Sequence, residues 1–120
     1  MTGTITHRRA YITLFVSGMG GQGNVEFTID TGFTGELTLP PAACEALQLP
    51  LMSRRLTYLA DGSEITLSVY LLTLLWDGIK REVEVLAIES EPLLGMTFLE
   101  GYEVCLQIAE NGTVRIKALF

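Results

Sequence analysis

Apolar and polar residues alternate along most of the chain, with the period of half-buried β-strands. The clearest case is the run VEFTI at residues 25–29. The run YITLFV at residues 11–16 is rich in β-branched and aromatic side chains, which favour strands. Residues 18–23 (GMGGQG) carry four glycines and predict a turn. These two strands are therefore expected to form a hairpin.

The same criteria predict six further strands joined by short turns. They cover residues 37–39, 55–60, 64–76, 79–88, 104–108 and 114–119. Three of the turns contain Asp61-Gly62, Asp77-Gly78 and Asn111-Gly112. Such pairs favour tight hairpins because both residues tolerate a positive φ.

Only two segments are predicted to be helical. One covers residues 41–47 and begins at Pro41, a position where the missing N–H has no intrahelical partner. The other is a single turn near residues 97–100. Successive strands with little helix predict an all-β fold, a closed or folded-over antiparallel sheet. Residues 1–120 are expected to form one domain.

The composition favours an oligomer. Hydrophobic residues make up 48% of the chain and the mean hydropathy is +0.36, although a short chain buries little surface by itself. The longest apolar stretch, residues 69–76, is too short to span a membrane. The net charge is −6 and no basic run exceeds two residues, which argues against nucleic acid. We therefore expect neither a membrane nor a nucleic-acid partner.

The cysteines and the single histidine are not spaced like the ligands of a metal site. Cys44 and Cys105 fit no metal-ligand spacing, and residues 1–10 do not resemble an export signal. We expect two buried free thiols, a cytoplasmic location, and no metal or cofactor. A catalytic triad would have to use His7, which lies in a polar segment and is expected to be exposed.

The tripeptide Asp30-Thr31-Gly32 is the strongest candidate for chemistry. It directly follows the strand at residues 25–29, although an Asp-x-Gly sequence after a strand is also ordinary turn chemistry. Its context adds weight. A glycine-containing stretch continues at residues 33–35, the Asp61-Gly62 hairpin follows, and Leu93-Leu94-Gly95 comes later in the chain.

This order of motifs resembles the retroviral-type aspartic proteases, and most closely the single-domain cellular and bacterial relatives of retropepsin. The resemblance implies a closed half-barrel with one or two short helices that forms a two-fold homodimer. Asp30 of each copy would be catalytic. Thr31 and Gly32 would support the paired loops, and Leu93, Leu94 and Gly95 would pack behind them. Ala60, Asp61, Gly62 and Ser63 would form the tip of a flap over the substrate.

The implied function is an aspartic endopeptidase that needs no cofactor and acts on an extended peptide or protein. A water molecule between the two Asp30 carboxylates would attack the peptide bond. The alternative is a weakly active or inactive dimeric module of the same fold that binds peptides. Two departures from the family are consistent with this alternative. Phe33 stands where relatives carry a small residue, and the flap tip is polar. Residues 114–120 are expected to form either an intersubunit strand or an internal edge strand.

Overall fold

The structure is a computed structural model that describes all residues, Met1–Phe120. Ten strands and two short helices follow one another along the chain. The strands are β1 Thr2–Thr6, β2 Arg9–Gly18, β3 Gly21–Ile29, β4 Leu37–Leu39, β5 Leu51–Tyr58, β6 Glu64–Trp76, β7 Ile79–Ala87, β8 Leu93–Leu94, β9 Tyr102–Leu106 and β10 Thr113–Ala118; the helices are α1 Pro41–Ala46 and α2 Met96–Leu99. The prediction of a β-rich fold with two short helices is confirmed. Neither helix has the length and apolar character needed to cross a membrane.

All ten strands belong to one folded sheet with the order β5-β6-β7-β4-β8-β3-β2-β1-β10-β9. An additional pairing joins β6 to β2, where Val16 lies opposite Leu74, and this contact folds the sheet back on itself. Two pairs are parallel, β3 with β8 and β4 with β7. The expectation of a purely antiparallel sheet is therefore wrong. Parallel neighbours are joined by long crossovers, which leave no local turn signal in the sequence.

The first strand, β1, was not predicted. It pairs with β2 on one side and β10 on the other, and it buries Ile5 almost completely. The turn between β1 and β2 places His7 and Arg8 at φ values of 49° and 63°. Such a turn usually carries Asn or Gly, so its sequence gives no hairpin signal. His7 is exposed, as expected.

Other strand boundaries also differ from the prediction. β2 and β3 extend through Gly18 and Gly21, which leaves Met19-Gly20 as the turn. The broad turn predicted over residues 18–23 is wrong at both ends, because pairing between strands overrides the low strand propensity of glycine. β5 and β9 each begin before the predicted position.

The core is built from the inward-facing residues of the alternating strands. They include Ile12, Leu14 and Val16 of β2, Phe27 of β3, Leu72 and Leu74 of β6, Val83 and Val85 of β7, and Phe98 of α2. Trp76 packs edge-on against Phe98, with ring centroids 4.6 Å apart. The core therefore lies between the two folded parts of the sheet and directly beneath the residues that follow β3.

The two cysteines are free and lie in different environments. Cys44 is buried on α1, and burial raises the pKa of its thiol. Cys105 is exposed on β9, so the expectation of two buried thiols is wrong for this residue. The reason is topological, because β9 lies at the edge of the sheet and Cys105 is on its outer face.

Phe27 provides a test of the core assignment. Its side chain has no exposed surface, so Phe27→Ala is expected to lower the free energy of unfolding by about 3–5 kcal/mol. Met19→Ala is the control, because Met19 is 88% exposed and its loss should change stability by less than about 0.5 kcal/mol. Urea denaturation measures both variants. Similar stabilities for the two would contradict the assignment.

Candidate active site

Asp30 directly follows β3, and hydrogen bonds of its backbone groups fix its position. Its N–H donates to the carbonyl of Leu94 at 3.0 Å, and its carbonyl accepts from the N–H of Phe33 at 3.1 Å. The N–H of Gly32 donates to Oδ1 of Asp30 at 2.9 Å. Asp30 is half-buried, whereas Thr31 and Gly32 are exposed. The carboxylate is thus oriented by the loop and still reaches the surface.

The Leu-Leu-Gly segment lies directly beside this loop. Leu93 and Leu94 form β8, which runs parallel to β3 and pairs with Thr28 and Ile29. Leu94 is fully buried, and the N–H of Leu93 donates to Oγ1 of the buried Thr38 at 2.9 Å. The structure therefore brings Asp30, Thr31 and Gly32 close to Leu93, Leu94 and Gly95. The roles that the family resemblance implies for these residues stay predictions.

Phe33 is packed into space left by two glycines. A Cβ atom on Gly35 would lie 2.5 Å from Cζ of Phe33, and one on Gly95 would lie 2.6 Å from its Cδ2. The Gly95 position would also be 2.3 Å from the carbonyl oxygen of Gly35. A side chain at either glycine would displace the ring or the backbone. Phe33 thus supports the loop by packing, a role that the sequence analysis did not assign to it.

The start of α2 is tied to the same loop by hydrogen bonds. The N–H of Met96 donates to the carbonyl of Phe33 at 2.8 Å, and that of Thr97 donates to the carbonyl of Gly35 at 3.2 Å. The Thr97 hydroxyl also donates to the carbonyl of Thr34. Thr97 was not identified from the sequence, where a threonine at the start of a short helix is unremarkable. These bonds close the loop behind Asp30.

Glu36 is a further residue that the sequence analysis missed. Its Oε2 accepts the N–H of Glu84 on β7 at 2.7 Å, and its Oε1 lies 4.0 Å from Nη2 of Arg81. Its carbonyl accepts the N–H of Gly95 at 2.8 Å. The side chain of Glu36 is engaged in these contacts, so it is a structural group and not a second free carboxylate beside Asp30.

The predicted flap is the hairpin of β5 and β6, with Ala60, Asp61, Gly62 and Ser63 at its tip. Oδ1 of Asp61 accepts the Ser63 N–H at 2.9 Å and the Ser63 hydroxyl at 2.6 Å. These donors lower the pKa of the Asp61 carboxyl, because they stabilise its charged form. The hydrogen bonds of residues 60–63 are made with one another and with Leu59. No hydrogen bond therefore connects the flap tip to the Asp30 loop.

The flap strand β5 is exposed along nearly its whole length. Tyr58, at the end of this strand, is 65% exposed and so is not part of the core. Arg55 lines a cavity of about 520 Å³ together with Thr34 and Gly35. That cavity, the flap-side cavity, lies between the flap hairpin, β7 and the loop that follows Asp30.

A second cavity lies on the other side of the loop. It measures about 650 Å³ and is lined by Ile29 and Thr31, by residues of α2 and by β9. The residues on either side of Asp30 in the sequence thus line an apolar groove, and residues 34–37 line the flap-side cavity. The chain brings no three His, Cys, Asp or Glu side chains close enough together to hold a metal ion.

The C-terminal strand lies inside the sheet. β10 (Thr113–Ala118) pairs with β1 on one side and β9 on the other. The interpretation of this segment as an internal edge strand is therefore wrong, because the N-terminal strand covers the edge of β10 at residues 114–115. The interpretation of residues 114–120 as an intersubunit strand stays a prediction.

Solved structures of two proteases resemble this chain. The solution structure of the simian foamy virus (mac) protease aligns with a TM-score of 0.53 at 27% identity, covering 73% of this chain and 91% of that one. The crystal structure of a retropepsin-like aspartic protease from Rickettsia conorii aligns with a TM-score of 0.57 at 20% identity, covering 100% and 95%. No protein-family model and no curated protein matches the chain. The predicted resemblance to the retropepsin-like family is confirmed.

Gly95 tests whether close packing supports the loop. Gly95→Ala is expected to lower the free energy of unfolding by about 1–3 kcal/mol, because the new methyl group meets backbone that cannot move freely. Gly23→Ala is the matched control, since a Cβ there meets nothing within 4 Å. Urea denaturation compares the two. If Gly95→Ala is as stable as Gly23→Ala, the loop can accommodate a methyl group and close packing at Gly95 does not support it.

Ser63 tests the hydrogen bonds of the flap tip. Ser63→Ala removes the hydroxyl donor but keeps the backbone N–H, so the pKa of Asp61 should rise part of the way to its ordinary value. Because the folded-state pKa is lowered, the turn is supported at neutral pH and loses this support as the pH falls through that value. Carboxyl NMR titration measures the change, and Ser90→Ala serves as a remote control. An unchanged Asp61 titration in Ser63→Ala would contradict this account.

Proposed function

We propose that the chain is an aspartic endopeptidase that works as a homodimer with Asp30 of each copy in one active site. The observation that carries the proposal is the placement of Asp30. Its loop is held between β3, β8 and α2, yet Asp30 is only half-buried, and the adjacent Ile29 and Thr31 line a cavity of about 650 Å³. The likeness to the foamy virus protease, at 27% identity, supports the same activity.

A second copy is part of the proposal because the chain offers one such carboxylate. The sequence contains no other Asp-Thr-Gly or Asp-Ser-Gly tripeptide, and Glu36 is engaged by Glu84 and Arg81. One carboxyl group cannot act as base and acid in the same step. A two-fold axis beside the loop would supply the second Asp30.

The proposed mechanism uses the two carboxyl groups and one water molecule. Placed within hydrogen-bonding distance, the two groups hold one proton between them, since like charges so close do not both ionise. The ionised Asp30 takes a proton from the water as its oxygen attacks the peptide carbonyl. The protonated Asp30 donates to the carbonyl oxygen, and a proton is then delivered to the leaving amine. Peptide and water become a carboxylic acid and an amine.

Other residues would position the substrate and the loop. Thr31 would brace the two loops across the axis, and Gly32 would let the backbone approach the peptide closely. Leu93, Leu94 and Gly95 would hold the loop from behind. The exposed hairpin with Ala60, Asp61, Gly62 and Ser63 at its tip would close over an extended peptide, which would bind as an added strand. We expect one functional domain over residues 1–120.

A cytoplasmic location remains a prediction. It agrees with the two free thiols, Cys44 and Cys105, which do not pair within the chain. The natural substrate is expected to be a peptide or an unfolded segment of a protein, because an extended peptide could add as a strand beneath the exposed hairpin. No cofactor enters the proposed reaction.

The decisive experiment is cleavage of a diverse peptide library across roughly pH 4 to 7, a range that brackets the titration of such carboxyl pairs. Wild type should produce specific cuts, and Asp30→Asn should lower the rate by at least about 1,000-fold, since it removes general acid–base catalysis. Asp77→Asn is the matched control, because Asp77 lies in a β-turn at a φ of 52° that asparagine also tolerates.

Each outcome has a definite meaning. Products from wild type and Asp77→Asn alone would support the proposal. Peptide binding without products, from a sample shown to be dimeric, would instead favour the inactive peptide-binding module. Equal cleavage by wild type and Asp30→Asn would remove Asp30 from the mechanism.

A further inference from the structure

Two neighbouring arginines on the flap strand differ in their contacts. Arg54 and Arg55 are adjacent on β5. Nη2 of Arg55 lies 3.4 Å from Oε2 of Glu84 on β7, and Arg55 lines the flap-side cavity. Arg54 is exposed and belongs to none of the four ion pairs of the chain. One of the two charges is therefore used within the fold, and the other is free.

The alternation of β6 defines which side of the flap hairpin each residue occupies. Leu72 and Leu74 are both 1% exposed. They belong to the same core as Phe27 of β3 and Leu94 of β8, the strands that position Asp30. Because successive residues of a strand point to opposite faces, the even-numbered positions of β6 lie on the side of the sheet that carries the core and the Asp30 loop.

The register of β5 against β6 extends this face along the hairpin. Directly opposite residues of an antiparallel pair share a face. The pairs at even-numbered positions are Arg54 with Ser68, Leu56 with Thr66, and Tyr58 with Glu64. The register shift of β5 lies between Leu51 and Ser53, before these pairs, and so does not alter their alternation. We call these six residues the inner face of the flap. Arg55 lies on the opposite, outer face.

The inner face combines exposed apolar side chains with one free positive charge. Leu56 is 53% exposed and Tyr58 is 65% exposed, so neither packs within the chain. The acidic residue of this face, Glu64, lies opposite Tyr58. It is four residues, or roughly 13 Å, along the hairpin from Arg54, farther than the distance over which salt screens exposed charges. Arg54 is therefore not neutralised on its own face.

We infer that Arg54 makes the protein select peptides with an acidic side chain, while Leu56 and Tyr58 cover apolar side chains of the same peptide. This inference rests on the proposed function, in which an extended peptide lies beneath the flap. Alternate side chains of such a peptide recur at the spacing of alternate residues on β5, and a guanidinium group forms charge-assisted hydrogen bonds with a carboxylate.

The position of Arg54 also places the acidic residue along the peptide. Arg54 lies six residues from Ala60 at the flap tip, or roughly 20 Å along an extended strand. With the tip above the Asp30 pair, the carboxylate that Arg54 binds belongs to a residue several positions away from the bond that is cut. The chain has a net charge of −6, which repels acidic peptides in general, so a preference for them requires a local positive charge such as this one.

Peptide binding tests Arg54 without requiring cleavage. The probes are fluorescein-labelled peptides of alternating Val and Thr, roughly twelve residues or about 40 Å long, that carry Glu, Gln or Lys at each position in turn. Fluorescence anisotropy measures their binding to Asp30→Asn protein. At the positions that reach Arg54, the Glu peptide should bind about two- to fivefold more tightly than the Gln peptide, as for an exposed ion pair. Arg54→Gln should remove this difference, and Arg54→Glu should transfer it to the Lys peptide.

Two matched controls test the assignment of the faces. Arg55→Gln changes the neighbouring arginine on the outer face and should keep the preference for Glu peptides. Leu56→Ser should weaken binding of all the peptides by at least about fivefold, because it removes apolar contact area. Ile65→Ser, at a 39% exposed position of the outer face, should leave their binding unchanged. Circular dichroism verifies that the variants are folded. Loss of the preference in Arg55→Gln but not in Arg54→Gln would overturn the inference.

Cleavage of the same peptides by wild type separates this inference from the proposed function. A preference for Glu peptides in binding that depends on Arg54, without any cleavage, would retain the role of Arg54 and reject the protease. Cleavage with equal kcat/KM for Glu and Gln peptides at every position, unchanged in Arg54→Glu, would retain the protease and overturn the role of Arg54. Equal binding of all the peptides, or none, would also overturn it. A preference in binding and in kcat/KM that Arg54→Glu reverses supports both.

Discussion

The arrangement of the site depends on the parallel pairing of β3 with β8. This short contact, extended by the hydrogen bond from the Asp30 N–H to the Leu94 carbonyl at 3.0 Å, joins two segments that are far apart in sequence. Leu94 is fully buried, so moving β8 away would expose apolar surface as well as break backbone bonds. The position of the Asp30 carboxylate is therefore determined by the core and not by the loop alone.

Close packing of backbone reinforces this contact. Gly95 and Gly35 leave the space that the Phe33 ring fills, and the first turn of α2 then bonds to the same loop. A large aromatic residue directly after the Asp30-Thr31-Gly32 tripeptide looks like a departure from the family when the sequence is read alone. The two glycines explain this residue, because they leave the space that its ring fills. Packing of the ring then supports the loop in place of a small hydrogen-bonding side chain.

The two edge strands of the sheet, β5 and β9, differ in character. β5 is exposed on both faces and belongs to a hairpin whose tip is held by local hydrogen bonds. Such a segment can move with little loss of packing, as a cover for a ligand must. β9 is packed against the core through Tyr102 and Val104, whereas β5 contributes no side chain to the core.

The sequence by itself determined the features that depend on local chemistry and on alternation. The strands around Asp61-Gly62 and Asp77-Gly78, both helices, and the position of Asp30 directly after a strand followed from turn residues, proline placement and a period of two. The tertiary structure alone decided β1, the two parallel pairs, the exposure of Cys105 and the enclosed position of β10. These features arise from pairing between distant segments, for which the sequence holds no local signal, because hydrogen bonds across a sheet depend on backbone groups common to all residues except proline.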